Sequence, residues 1–223
     1  MAIELWWAAR SPYCWRVQLA LAYKGLAHEA HPVDIARQQQ KSPALRRLTP
    51  RGRVPVLRDG DYVVFESVAV LYYLDRQYPQ RPLFGASPQE GGVIVRVIEE
   101  FQSYIEPHLA AIFAGISAAR DPVVHERILG HLLAAAGEAR VIEGRLASSE
   151  WVVGAAPSAA DFVIYPWITL LLDLLEGPAG GELRARFLPV EVQYPALARW
   201  LARLESLPGL AGTRRLHLAD RES

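Results

Sequence analysis

The sequence predicts a small α/β domain followed by an all-helical one, and three observations carry that expectation. Up to about residue 78, apolar runs of strand length alternate with stretches of helical period. Two β-rich runs flank the pair Asp59-Gly60, a strong hairpin signal. From Gly91 onward helical patterns follow one another and no strand pattern interrupts them. A stretch dense in proline and glycine separates the halves, so a domain over 1–80, a linker over 81–90 and a helical domain over 91–223 are expected.

Ile3-Glu4-Leu5-Trp6-Trp7-Ala8-Ala9 reads as the first strand. Ser11 and Pro12 then open a helix with Cys14, Val17 and Leu21 on one face. Serine suits the N-cap, and proline suits the first turn, where its missing N–H is no loss. Free backbone N–H groups and the positive end of the helix dipole gather at that point and stabilise an anion, a thiolate included. From these residues alone, simple capping by Ser11 is the plainer reading. Gly25 ends the helix, and Ala27 to Ile35 gives a second strand. His28 and His31 fall on opposite sides of it and read as ordinary side chains rather than ligands. Gln38 to Leu48 suggests a short irregular helix before Thr49-Pro50-Arg51-Gly52.

Val54-Pro55-Val56-Leu57-Arg58 and Tyr62-Val63-Val64-Phe65 supply the hairpin. Pro55 cannot donate a ladder hydrogen bond, so it marks an edge, a strand start or a cis bond; a cis bond leaves the Val54 main chain free for a ligand. Glu66-Ser67 precedes a helix carrying Val70, Leu71, Leu74 and Tyr78. The early helical connection favours a parallel pair and the hairpin adds antiparallel strands, giving a small mixed sheet.

In the second half, Val93 to Phe113 and His125 to Leu146 read as long helices. Ser158-Ala159-Ala160-Asp161 is a capping-box start to the apolar run Phe162 to Leu175, the expected buried axis of the helical domain. Pro166 inside that run costs it a hydrogen bond. Gly177 to Gly181 reads as a loop, Tyr194 to Leu207 as a last amphipathic helix, and Gly209 onward as tail.

The chain has 223 residues, half of them apolar, and a formal net charge of zero. That balance argues against a generic electrostatic grip on nucleic acid or acidic membranes. The longest apolar run is too short to span a bilayer and is broken by Pro166 and Asp173. A single cysteine, Cys14, excludes an intrachain disulfide and fits a reducing compartment. No basic segment followed by a long apolar run opens the chain, so no signal peptide is expected and a cytoplasmic location is. No metal-ligand spacing stands out.

Four features in this order make the chain resemble the cytosolic glutathione S-transferases over nearly its whole length. They are Ser11-Pro12-Tyr13-Cys14-Trp15-Arg16-Val17, Arg53-Val54-Pro55-Val56-Leu57, Phe65-Glu66-Ser67, and Ser158-Ala159-Ala160-Asp161 with Tyr165-Pro166-Trp167. The resemblance implies a thioredoxin-like α/β N-terminal domain joined to an all-α C-terminal bundle, a homodimer, and glutathione as co-substrate without a metal. It implies that Ser11 is the catalytic hydroxyl, donating to the glutathione sulfur, and that Val54 binds the cysteinyl backbone, with Pro55 cis. It implies that Glu66 and Ser67 bind the γ-glutamyl amine and carboxylate. Arg53, and less surely Lys41, would hold the glycyl carboxylate, with a solvated surface charge the alternative for each.

The reaction this implies is attack of the glutathione thiolate on a small apolar electrophile, in a detoxifying role. Phe101, Tyr104, His108 and Phe113 are candidates for the electrophile site, although an aromatic set at helical spacing is more often core than pocket, and Arg16 is a candidate for the site or for a tie between the domains. Ser11 to Gly25 is especially similar to the zeta class, which implies a glutathione-dependent isomerase of the maleylacetoacetate type as alternative. The chain departs from that class at Pro12-Tyr13-Cys14, which resembles the glutaredoxin site with Ser11 in place of its first cysteine. Cys14 is then either an inert core residue or the centre of a disulfide-bond reductase. A non-catalytic binding protein that keeps the fold is the remaining alternative.

Overall fold

Strands β1 (Ile3–Trp7), β2 (His28–Pro32), β3 (Val56–Asp59) and β4 (Tyr62–Phe65) form one sheet in the order β2-β1-β3-β4. The computed structural model describes residues 2–118, 121–177 and 181–218. Helix α1 (Pro12–Lys24) carries the chain from β1 to its parallel neighbour β2, while β3 pairs antiparallel with both β1 and β4. The mixed sheet expected from the sequence is therefore present. Asp59 pairs with Tyr62, so the hairpin loop is Gly60-Asp61 rather than Asp59-Gly60. Asp59 stays in the strand, where its carboxylate accepts hydrogen bonds from the hydroxyls of Tyr73 (2.9 Å) and Tyr78 (2.6 Å) at the end of α3 (Ser67–Gln77).

The period of two sorts the sheet residues between two faces. Leu5 and Leu57 are wholly buried on one. On the other, Val56 packs with Val33, Leu45, Trp6 and Phe65 beneath the short helix α2 (Pro43–Leu48).

By its contacts the chain divides into two units. The first holds the residues up to Phe84 together with those from Glu205 on; the second runs Gly85–Leu204. The expectation of a helical domain running to 223 is thereby corrected. The segment after Gly209, expected as tail, contains α10 (Leu210–Leu218), and this helix packs on α1. The indole N–H of Trp15 donates to Thr213 Oγ1 at 2.8 Å, and the His217 ring stacks on Trp15 at 4.9 Å. Leu210, Thr213 and His217 are buried at the spacing of one helix face, a periodicity already present in the sequence.

In the second unit the expected helix over Val93 to Phe113 is two helices, α4 (Pro88–Tyr104) and α5 (Glu106–Gly115). Pro107 accounts for the break: it has no N–H for the Ser103 carbonyl, and its ring crowds the turn before it. Next come α6 (Pro122–Leu146), α7 (Ala159–Glu176), α8 (Val190–Gln193) and α9 (Pro195–Ser206). Helix α7 is buried over nearly its whole length and runs through Pro166 without ending. Its capping box is formed: Asp161 accepts from the Ser158 N–H at 2.9 Å. Glu143 on α6 accepts from the N–H groups of Ala196 and Leu197, which satisfies the free donors at the start of α9. Of the loop expected over Gly177 to Gly181, residues 178–180 lie outside the described residues. No helix among the described residues is long and apolar enough to cross a membrane.

Candidate active site

The site is assembled at one end of the sheet by two loops that lead into regular elements. After α2, Gly52 turns the chain with φ +55°; a Cβ there would lie 2.8 Å from the Gln40 carbonyl oxygen, so only glycine fits. That turn brings Arg53, Val54 and Pro55 up to β3. The Val54–Pro55 bond is cis, as expected, and Val56 is the first strand residue. At the end of β4, Glu66 takes φ 68° and ψ 115°, a sparsely populated conformation for a side-chain-bearing residue. Ser67 follows as the first residue of α3 and is buried.

Arg53, Val54, Pro55, Glu66 and Ser67 come together in one cleft of about 220 Å³, completed by Tyr13, Thr49 and Phe65. The free N–H groups at the start of α3 make its floor favourable for an anion. The Glu66 carboxylate is exposed at the rim, 3.8 Å from the Arg51 guanidinium. Lys41 is not among the lining residues; its ammonium donates to the Arg51 carbonyl at 3.0 Å. Ser11 is not among them either. It is the N-cap of α1, half-buried, two residues before Tyr13, and its Oγ accepts from the Cys14 N–H at 3.3 Å.

Cys14 lies wholly inside the first unit, with its sulfur accepting from the Ala8 N–H at 3.4 Å. Burial pushes the thiol up to about 11, against smaller opposing pulls from the Ser11 side chain and the Ala8 N–H. It is therefore protonated at neutral pH and shielded from solvent. The nucleophilic reading of Cys14 needs the opposite on both counts.

Tyr13, Thr49 and Phe65 were not singled out as ligand contacts from the sequence. Each adjoins a residue or loop that was, and no charge or spacing marks it. Arg16 was singled out without a partner; its Nη1 donates to Ser67 Oγ at 3.2 Å.

The candidates for the electrophile site do not converge. Phe101 is buried and Tyr104 exposed on α4, and both line a cavity of about 200 Å³ with Val97, Ile142 and Ile164. His108 faces His131, Nδ1 to Nδ1 at 3.0 Å, and Phe113 packs on Trp167. Outside the cleft, Glu4, Glu29 and His31 bring ligand atoms within 4.8 Å of one another. Arg58 already donates to Glu4 Oε1 through Nε at 2.9 Å, and its charge opposes a cation there. His31, taken as an ordinary side chain, pairs with Glu4 at 3.0 Å and stacks on Trp6.

Comparison with known proteins places this arrangement. The family model described as "Glutathione S-transferase, N-terminal domain" matches residues 5–82, and "Glutathione S-transferase, C-terminal domain" matches residues 122–203. Glutathione S-transferase Z1 of Arabidopsis thaliana is 37% identical over 99 residues, which are 44% of this chain and 45% of that protein. The match to this curated relative therefore spans less than half of its length. Glutathione S-transferase F9 of the same plant is 33% identical over 172 residues, 74% of this chain and 77% of that one. Among solved structures, the glutathione transferase URE2P8 from Phanerochaete chrysosporium, crystallised with oxidized glutathione, aligns with a TM-score of 0.82. The alignment covers 99% of this chain and 97% of that one at 23% identity, a likeness of fold.

Proposed function

The chain belongs to the glutathione S-transferase family, and on that premise we propose that it binds glutathione and activates its thiol for attack on a small apolar electrophile. The observation that carries this reading is the cleft itself. Main-chain atoms beside a cis-proline, a carboxylate and a buried serine at a helix start converge there within reach of one tripeptide.

In this reading the Glu66 carboxylate pairs with the γ-glutamyl ammonium. The Ser67 hydroxyl and the N–H groups beginning α3 bind the γ-glutamyl carboxylate. Val54 pairs with the cysteinyl backbone through its own N–H and C=O beside Pro55, and Arg53 holds the glycyl carboxylate. The sulfur then lies toward the start of α1. There the Ser11 hydroxyl donates to it, and the helix dipole favours the thiolate over the thiol. The thiolate attacks the electrophile and the leaving group departs; Ser11 forms no covalent bond. The same family premise supports a homodimer acting in the cytoplasm in detoxification. Tyr62 and Tyr72, each 53% exposed, offer apolar surface for a second copy.

A second reading, a glutathione-dependent isomerase of the zeta type, is favoured by the stretch Ser11 to Gly25 and by 29% identity over 172 residues to the maleylacetoacetate isomerase of Pseudomonas aeruginosa. Calorimetry with glutathione, and turnover of an aryl halide, a hydroperoxide, a mixed disulfide and maleylacetoacetate, decides between them. Binding with aryl halide or peroxide turnover supports the transferase. Isomerisation alone promotes the zeta reading. Absence of binding overturns both.

A further inference from the structure

Helices α5 and α6 pack along each other in the second unit, with Leu109 and Ile112 of one and Ile128 and Leu132 of the other buried. The approach is close: a Cβ at Gly115 would lie 3.3 Å from the Ile128 side chain. Between the same two helices His108 of α5 meets His131 of α6, with Nδ1 3.0 Å from Nδ1. The ring centroids are 5.3 Å apart and the planes are inclined by 50°, so the rings meet nitrogen to nitrogen rather than stack. Both side chains are part-buried, and nothing in the glutathione reading uses the pair.

Two N–H groups facing each other at this distance repel, and so do two lone pairs. One Nδ1 therefore carries a proton and the other accepts it. A metal ion can take that proton's place. The ring that gives up its Nδ1 proton gains one at Nε2, so both imidazoles stay neutral and present a lone pair at Nδ1. Metal–imidazole bonds are about 2.0–2.1 Å long, and two of them drawn to nitrogens 3.0 Å apart meet at about 95°. That is the angle between neighbouring ligands of a square-planar or octahedral ion. A tetrahedral ion needs the nitrogens about 3.3 Å apart. The rings must rock to bring both lone pairs onto one point, and the terminal torsion of histidine is soft enough to allow it.

We propose that His108 and His131 form a two-histidine chelate for a divalent transition metal, with Cu²⁺ or Ni²⁺ fitting better than Zn²⁺. The site is built wholly from the second unit and does not depend on the glutathione reading. Among the described residues no third histidine, cysteine or carboxylate joins the pair. The other positions on the metal are left to water or to a small ligand from solution. Because the ion joins α5 to α6, it also stabilises the folded chain over the unfolded one.

Calorimetric titration of the full chain with the chlorides of copper(II), nickel(II) and zinc at neutral pH tests the assignment. One ion should bind per chain, Cu²⁺ more tightly than Zn²⁺. His108→Gln and His131→Gln should each weaken Cu²⁺ about a hundredfold, because the chelate is reduced to one ligand. His31→Gln, at the separate group of Glu4, Glu29 and His31, should leave it within about twofold. Electron paramagnetic resonance of the copper complex should show coupling to two nitrogens in the parent and one in either variant. No binding by the parent, binding that survives both substitutions, loss of binding in His31→Gln, or Zn²⁺ held as tightly as Cu²⁺ would overturn the proposal. Should a variant not fold, the parent alone decides. Broadening by Cu²⁺ of the His108 and His131 ring signals in the NMR spectrum supports the site, and broadening centred on other histidines overturns it.

Discussion

The indole nitrogen of Trp200 donates a hydrogen bond to Asp161 at 2.7 Å, tying α9 to the first turn of α7. Asp161 also accepts from the Val152 N–H (3.0 Å), the Ser158 N–H (2.9 Å) and the Ser158 hydroxyl (2.9 Å), and it is wholly buried. One carboxylate therefore fixes the link after α6, the start of α7 and the face of α9. Asp161→Ala strands these donors without solvent. It should cost about 3–5 kcal/mol of stability and lower the melting temperature by roughly 10 °C, read by calorimetry. Asp161→Asn, which keeps an acceptor oxygen, should cost less.

His217 is buried against Trp15 and Trp7, and burial lowers its imidazole from 6.5 to about 3. The unfolded chain takes up this proton more readily than the folded one. The contribution to stability is therefore complete above pH 6.5 and falls away as the pH drops from there toward 3. At pH 4 the loss from this one group should be about 3 kcal/mol relative to neutral pH. Urea unfolding at pH 7 and pH 4, for the parent and for His217→Phe, measures it. A variant as acid-sensitive as the parent would assign the effect elsewhere.

Ser11→Ala should keep glutathione binding and lose turnover by about two orders of magnitude, as expected when one donor to a developing anion is removed. The ultraviolet thiolate band of bound glutathione should disappear in parallel. Undiminished kcat would remove Ser11 from the mechanism.

Glu66 holds a positive φ that glycine adopts freely. Glu66→Gly should raise stability by about 1 kcal/mol through relief of that conformation, yet weaken glutathione about tenfold by removing the partner of its ammonium. Denaturation and calorimetry on one preparation should move in opposite directions.

Cys14→Ala should leave turnover unchanged and cost about 1–2 kcal/mol for the small cavity it opens. A thiol reagent should react with the parent only as fast as the protein unfolds. Prompt labelling of the folded protein, or loss of mixed-disulfide turnover in the variant, would restore the reductase reading.

Much of the cleft was legible because its parts are marked locally. Pro55 before a β-rich run and Glu66-Ser67 before a helical face each stand out from their neighbours, and their order supplied the rest; Ser11-Pro12 after a strand stands out as well, but Ser11 does not line the cleft. What was not legible depends on partners far away in sequence. Nothing near Arg16 indicates that its guanidinium reaches Ser67, and nothing near His31 indicates that Glu4 lies beside it. The break at Ile105 was readable in principle from Pro107, but the apolar period running on to Phe113 outweighed it. Helix α10 was missed because its buried face is made partly of Thr213 and His217, polar residues whose partners, Trp15 and Gln18, sit at the other end of the chain.

That last pairing sets a schedule for the newborn chain. Trp15 and Thr213 are separated by 198 positions. A ribosome adding about 5–20 residues each second needs roughly 10–40 s to bridge that interval. Throughout it the side of α1 that receives α10 has no covering helix, so the unit that holds the cleft is the first to emerge and cannot be finished until the other has been made. A message cut short before α10 would yield a product with the surface around Trp15 permanently bare of that helix.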